Sequence, residues 1–505
     1  MLSSLSIGWR FARNVLLLAL ALLGGLIFLL AWELWRGGYS LSALVVFDLE
    51  EARHLHSLLS RNLNQLLAVV FTSVAIAVPL TANLYSLKFL EFFIKDPVNA
   101  AVLLLVVCAN LVGTWAGVAL KDDFLPSFLL VATLALTVIC YALLFPYLYY
   151  VFRFLHPSTL LERLEAEVYA HWRGAQRSPA RLASHRLHCA GDIEHIASIA
   201  IRAIDRADRS TAIESVLKLE AIARAYWQIK PQLPSSWFEA DANAFLGFSS
   251  RAIAEFTAKG IWLEMQLFGQ VRQVLSAAIP RVHDVTTAIA RSTRKLGQER
   301  AALADEAVRN LIVEYFNTFL RLAIVRQDTR SAFIILDQYR TWVEGLNSDH
   351  PELVNEIALY FANYGRVARE NKLRFIAEAV ARDLGVLVQQ AWRDNAPNRQ
   401  ALLDLFLSYD RGARKPLEGV KKAQAILAGY LLLLGQTEPV ALIRREFQNL
   451  PPAFLQTIRD DLLYLQREKY WEIGERRGNV DDVPADQREK LREFLDSVAA
   501  PEAVA

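Results

Sequence analysis

Four apolar runs, at residues 14–35, 62–87, 97–120 and 124–152, each match or exceed the ~20 residues a helix needs to cross about 30 Å of hydrocarbon. They make the first part of the chain a membrane module. Charge follows the same division: residues 1–156 hold 9 Lys/Arg and 8 Asp/Glu, whereas residues 157–505 hold 46 and 45. The net charge of +2 is spread evenly, which disfavours nucleic acid as a partner and leaves no acidic or basic tail. Three cysteines, Cys108, Cys140 and Cys189, give no disulfide framework. The first run is preceded by Arg10 and Arg13 but is too long for a signal peptide, so a retained anchor is expected.

Lys and Arg on short flanks accumulate on the cytoplasmic side. Arg10, Arg13, Lys88, Lys95 and Arg153 fall on one side of the four spans, and Arg36, Arg53, Arg61 and Lys121 on the other, with five acidic residues. This predicts both termini in the cytoplasm and an external segment at 37–61. Trp32, Trp35, Tyr147, Tyr149 and Tyr150 mark span ends, where amphipathic rings prefer the headgroup level. No Asp, Glu, Lys, Arg or His lies in the middle of a span, which argues against proton coupling and voltage sensing. Polar candidates inside the spans are Thr72, Asn83, Asn110 and Thr114, beside Gly113 and Gly117, a small-residue spacing that lets helix backbones approach. Two readings stay open: packing within one protomer, or a subunit contact or pore lining. Pro79 is expected to bend the second span.

Between the second and third runs, Tyr85, Ser86, Leu90, Phe93 and Asp96 fit the pattern Gln-Phe-Ser-Pro-Arg-Leu-Leu-x-x-Phe-x-x-Asp, with Leu87 in place of proline and Lys88 in place of arginine. Over residues 48–120 the chain resembles the bacterial membrane-protein family called domain of unknown function 2254. The resemblance implies a bacterial inner-membrane location and shared topology, and it carries no catalytic residue.

After residue 156 apolar residues recur at helical spacing and no strand alternation is sustained, so the whole chain is expected to be all-α. Thr159 and Glu162 have capping-box spacing, which predicts a helix leaving the fourth span almost directly. Breaks are expected at 174–179, 230–236, 347–351, 394–398, 411–416 and 478–484. Residues 194–212 and 314–332 share six of nineteen residues at an offset of 120, and each copy reads as helix, polar turn with Asp208 or Asp328, helix. The same shape recurs around Arg369 and Gly435. Units of this kind stack on neighbours as α-solenoids, tetratricopeptide-like in part, although a helical bundle would leave the same signals. The expected organisation is a membrane domain at 1–156 and cytoplasmic helical segments at 157–300 and 301–505. The apolar stretch 423–434 is too short to span and is expected to be a buried core helix.

The strongest chemical constellation is His185, His188, Cys189, Asp192 and His195, whose spacing places all five near one helical face. Imidazole, thiolate and carboxylate are zinc ligands, and three of them would make an incomplete site. Packing and surface polarity form the preferred reading, and no cofactor is expected. Phosphate loops, dinucleotide fingerprints, metalloprotease motifs and nucleophile elbows are all missing, so no enzymatic activity is expected. The leading functional expectation is an oligomerising, membrane-anchored helical scaffold or adaptor. It would sit in the lipid bilayer as a homo-oligomer and bind a protein partner through its cytoplasmic part. The alternative is an oligomeric ion channel or pore gated by that part.

Overall fold

The computed structural model describes residues 48–85, 88–240, 245, 247–346, 349–411, 416–465 and 481–499; the first predicted span, at 14–35, lies outside them. Among the described residues the chain is helical, with one isolated bridge between Lys121 and Phe124 and no strand. Contacts divide it into two compact units, residues 1–163 and 164–505.

Among the described residues of the first unit three helices are long and apolar enough to cross a membrane: α1 (Leu49–Leu84), α3 (Pro97–Ala119) and α4 (Ser127–Phe154), with the short α2 (Lys88–Lys95) between α1 and α3. The expected external segment is partly helical, because α1 starts well before its apolar run. Asp48 and Glu51 form a reciprocal capping box that satisfies the first orphan amides, so the helix begins among charged residues. It continues through Pro79. The three long helices pack on one another around Leu63, Leu66, Val70, Val106, Ala109, Cys140, Tyr147 and Val151. Their outward residues are apolar as well: Ile76, Leu104, Leu111, Trp115, Phe128, Phe145 and Phe152 are all exposed. A surface of that kind belongs in lipid.

Asp96 is the N-cap of α3. Its Oδ1 accepts from the amides of Val98 (3.0 Å) and Asn99 (3.4 Å), and Pro97 occupies the first helical position, where a missing N–H costs nothing. The Tyr150 hydroxyl donates to the same carboxylate at 2.8 Å, and Arg163 Nη2 lies 3.1 Å from Oδ2. Arg163 in turn sits over the Phe154 ring at 4.1 Å, and Phe89 and Phe93 meet Phe154 edge-on. Thus Phe93 and Asp96 form a clamp joining α2, α3, α4 and the start of α5 (Pro157–Arg177). The predicted capping box at Thr159 is not formed. Thr159 lies inside α5, and its hydroxyl donates to the Arg153 carbonyl at 3.0 Å, which also accepts from the His156 amide at the end of α4.

The second unit contains the helices α6 (Leu182–Asp205), α7 (Arg209–Ile229), α8 (Ser250–Ala258), α9 (Trp262–Ala278), α10 (His283–Gly297), α11 (Arg300–Ala304), α12 (Glu306–Val325), α13 (Thr329–Glu344), α14 (Pro351–Glu370), α15 (Arg374–Arg393), α16 (Arg399–Ser408), α17 (Glu418–Leu433), α18 (Thr437–Arg445), α19 (Pro452–Leu465) and α20 (Ala485–Ala499). They pair as hairpins, α6 with α7, α9 with α10, α12 with α13 and α14 with α15. Each hairpin packs on the next in two rows. In one row α6 meets α9, α9 meets α12 and α12 meets α14; in the other α7 meets α10, α10 meets α13, α13 meets α15, α15 meets α17 and α17 meets α20. This is the stacking of an α-solenoid. The rows run across residue 300 within the one unit.

One link recurs. At 206–208, 259–261, 326–328, 371–373 and 434–436 three residues join two helices, and the middle one, Ala207, Gly260, Gln327, Lys372 or Gly435, has φ between 55° and 71°. The next amide bonds back five residues, as from Asp208 to the Ala203 carbonyl (2.8 Å) and from Asp328 to Ala323 (3.0 Å), which is the Schellman geometry. In two of the five links the final residue also caps the following helix with its side chain. Asp208 accepts from the Thr211 amide at 3.1 Å, and Asp328 from Ser331 at 2.7 Å. The two copies detected in sequence are therefore the first and third hairpins. As expected, residues 423–434 fall largely within α17, where Ala425, Ile426, Leu427 and Leu431 are buried.

Replacing Asp96 with alanine is expected to cost about 3 kcal/mol, because Arg163 and Tyr150 then lose their shared acceptor. Asp96→Asn, which keeps the cap, is expected to cost less; thermal unfolding of the full chain in detergent reads both. Partial burial raises the Asp208 carboxyl, but bonds from Thr211 and Ser210 outweigh it and hold the group below the usual aspartate range. A depressed carboxyl stabilises above its unfolded value and loses that effect as pH falls through its folded one. Asp208→Ala should therefore cost about 1 kcal/mol at neutral pH, and the difference from wild type should shrink below about pH 4.

Candidate functional site

The side chains with most chemical potential gather where α5 and α6 meet within the second unit. The two helices are joined by a short link with a turn of 3-10 helix at Pro179–Arg181, so their facing surfaces are brought together locally. Glu167 and His171 stand one turn apart on α5, on one face. Across from them on α6, Asp192 is buried, and its Oδ2 lies 3.3 Å from His171 Nε2. One ligand atom from each of Glu167, His171 and Asp192 lies within 4.8 Å of the other two. The opposite ring nitrogen of His171 faces His185, with Nδ1 to Nδ1 at 3.3 Å.

Gly174 makes that contact feasible. A Cβ at this position would stand 2.5 Å from His185 Cε1, so only glycine lets the ring lie against α5. Burial, followed by the neighbouring imidazoles of His171 and His188, holds His185 below the usual histidine range. His188 is exposed, stacks on His171 at 5.6 Å and meets the Ser184 carbonyl with Nδ1 at 2.6 Å. Cys189 is fully buried, and burial pushes its thiol up, away from the thiolate form a metal would need.

The five residues selected by spacing thus separate. Asp192 joins the convergent group, His185 and His188 flank it through His171, and neither Cys189 nor His195 belongs to it. The sequence reading missed Glu167 and His171, which lie across a loop from the other five. Their i, i+4 spacing was the available signal.

In the first unit, Asn110 Nδ2 donates to the Leu63 carbonyl (3.2 Å). A Cβ on Gly113 would stand 3.4 Å from Leu63 and Thr133, and one on Gly117 would collide with the His56 ring. All three positions serve packing inside this unit. Thr114 bonds its own helix through the Asn110 carbonyl (2.9 Å), and Thr114, Thr72 and Asn83 are exposed on the outside of the three helices.

The fold so described is that of a helical membrane protein carrying a stack of hairpins. Residues 9–192 match the family model described as "Predicted membrane protein (DUF2254)". The matched stretch includes the Asp96 clamp and runs along α6 as far as Asp192. No curated protein sequence matches the chain. Among solved structures, a "Circular tandem repeat protein with novel repeat topology and enhanced subunit contact surfaces" is similar at 13% identity and a TM-score of 0.30, covering 89% of this chain and 96% of that one. Likeness at that level transfers nothing to this chain.

Gly174→Ala is expected to lower stability by about 1–3 kcal/mol through overpacking. It should also return His185 toward ordinary histidine titration, a change visible in the NMR shifts of labelled imidazoles.

Proposed function

We propose that the protein is a membrane-anchored helical scaffold, without catalytic activity of its own, which binds a protein partner through the exposed face of its hairpin stack. The observation supporting this reading is the two-row packing of successive hairpins. Stacks of this kind carry the outer faces of their repeats on one continuous surface, and that surface is what they use for recognition. Five Lys/Arg, at 10, 13, 88, 95 and 153, flank the spans on the side of the stack against four, at 36, 53, 61 and 121, on the other, an excess that favours a cytoplasmic stack. The pore reading has less support. Asn110, Gly113 and Gly117 are engaged within a single chain, and the remaining polar positions Thr72, Asn83 and Thr114 belong to the outer surface.

The test is native mass spectrometry and imaging of the nanodisc-embedded protein with copurifying chains identified, alongside ion flux in reconstituted vesicles. Flux at background, with a stoichiometric second polypeptide held by the stack, is the expected result. A ring of identical subunits around an axis lined by Thr72, Asn83 and Thr114, with flux altered by their substitution, would replace the scaffold by the channel.

A further inference from the structure

The α5–α6 hairpin carries chemistry that a scaffold does not require. We propose that Glu167, His171 and Asp192 bind one divalent transition-metal cation of the zinc type, with His185 as the hydrogen-bonding partner that orients His171.

Two ligands each 2.0–2.2 Å from a tetrahedral ion lie about 3.4 Å apart. His171 Nε2 and Asp192 Oδ2 already stand at 3.3 Å, and a Glu167 oxygen falls within the same 4.8 Å circle. Small side-chain rotations therefore close the set without moving a helix. Two carboxylates and a neutral imidazole carry a formal charge of −2, which a divalent cation cancels in a setting where Asp192 is buried. Nitrogen beside oxygen donors selects zinc, cobalt or nickel over magnesium and calcium, which prefer oxygen alone. Three protein ligands leave a fourth position for water, and His171, with 19% of its side chain exposed, opens the site to solvent.

The surroundings fit the same assignment. With Nε2 on the metal, His171 Nδ1 carries the proton and donates it to His185 Nδ1 at 3.3 Å, the outer contact that metal-bound histidines use to fix ring orientation. Gly174 provides the room for that partner. Because Glu167 and His171 come from α5 and Asp192 from α6, the ion would pin the two helices together, holding α5 against the first hairpin of the stack.

The experiment uses the full chain in nanodiscs, purified without a histidine tag, stripped with chelator and titrated with Co2+ and Zn2+. One saturating equivalent per chain, ligand-field absorption for Co2+ and a higher unfolding temperature are expected, with no competition from excess Mg2+. His185→Ala should weaken binding about 10–100-fold, and Glu167→Gln and His171→Gln by at least as much, while His195→Ala binds as wild type does. Should His171→Gln lose its helical circular dichroism, Glu167→Gln decides alone. Absence of saturable binding to folded wild type would overturn the site and leave His171 and Asp192 as an ordinary ion pair. Undiminished binding in Glu167→Gln, or equal competition by Mg2+, would overturn it as well.

Discussion

The second unit depends on one backbone event, a single residue at positive φ between two helices. Placing an L-residue there costs roughly 1–2 kcal/mol, yet Ala207, Gln327 and Lys372 all adopt it, and only Gly260 and Gly435 among the five links avoid the cost. What offsets the strain is the packing that follows. A link of fixed length and fixed hydrogen bonds turns the chain sharply, so in the hairpins α6–α7, α12–α13 and α14–α15 the second helix returns along the first. The buried aromatic stack of Phe316, Tyr339 and Trp342 shows the result, with Phe316 and Tyr339 rings 4.5 Å apart and nearly parallel.

Polar groups buried between hairpins give the stack its order. Glu220 on α7 accepts from Ser292 on α10 at 2.6 Å, Arg294 on α10 reaches Gln338 on α13 at 2.8 Å, and Arg340 on α13 pairs with Asp383 on α15 at 3.1 Å. Each junction in that row has a different donor and acceptor. A buried carboxylate or guanidinium facing the wrong neighbour would be left uncompensated at a cost of several kcal/mol, so the pairs act against misregistered stacking more than they add stability.

This also explains what the sequence could and could not reveal. Three of the four expected spans and the all-helical class were legible because they rest on long apolar periodicities, and the breaks at 230–236 and 394–398 because Gly, Pro, Asn and Ser collect there. Within the segment 37–61, expected outside the membrane, the capping box of Asp48 and Glu51 starts α1 ahead of its apolar run, a start that the apolar periodicity does not mark. Of the six identities that made the 120-residue repeat visible, four, at Ala203, Ile204, Arg206 and Asp208, lie around the link, which demands particular geometry. Elsewhere any apolar residue of suitable size maintains the row, and identity between repeats decays. The intervening hairpin α9–α10 escaped notice because its connection at 279–282 lacks the positive-φ link. The metal candidates were half legible: spacing along α6 is read directly from sequence, but the approach of α5 depends on Gly174, whose significance appears only when the His185 ring lies against it.

The two units solve opposite solvent problems with similar means. In the first, small residues at Ala109, Gly113 and Ala116 bring backbones together while large apolar side chains face outward, since lipid supplies no hydrophobic drive between helices. Its specificity is concentrated at the end of a span, where Asp96 is simultaneously a helix cap, an acceptor for Tyr150 and a partner for Arg163. A carboxylate in the middle of α3 would have been costly, whereas at the first turn it meets the helix amides and the positive end of the dipole. The resemblance motif that ends in Asp96 thus has a structural explanation within this chain: it specifies where a membrane helix starts and what holds that start in place. Chemistry beyond structure has to be sought elsewhere, among groups whose convergence is not explained by capping or packing, and Glu167, His171 and Asp192 meet that condition.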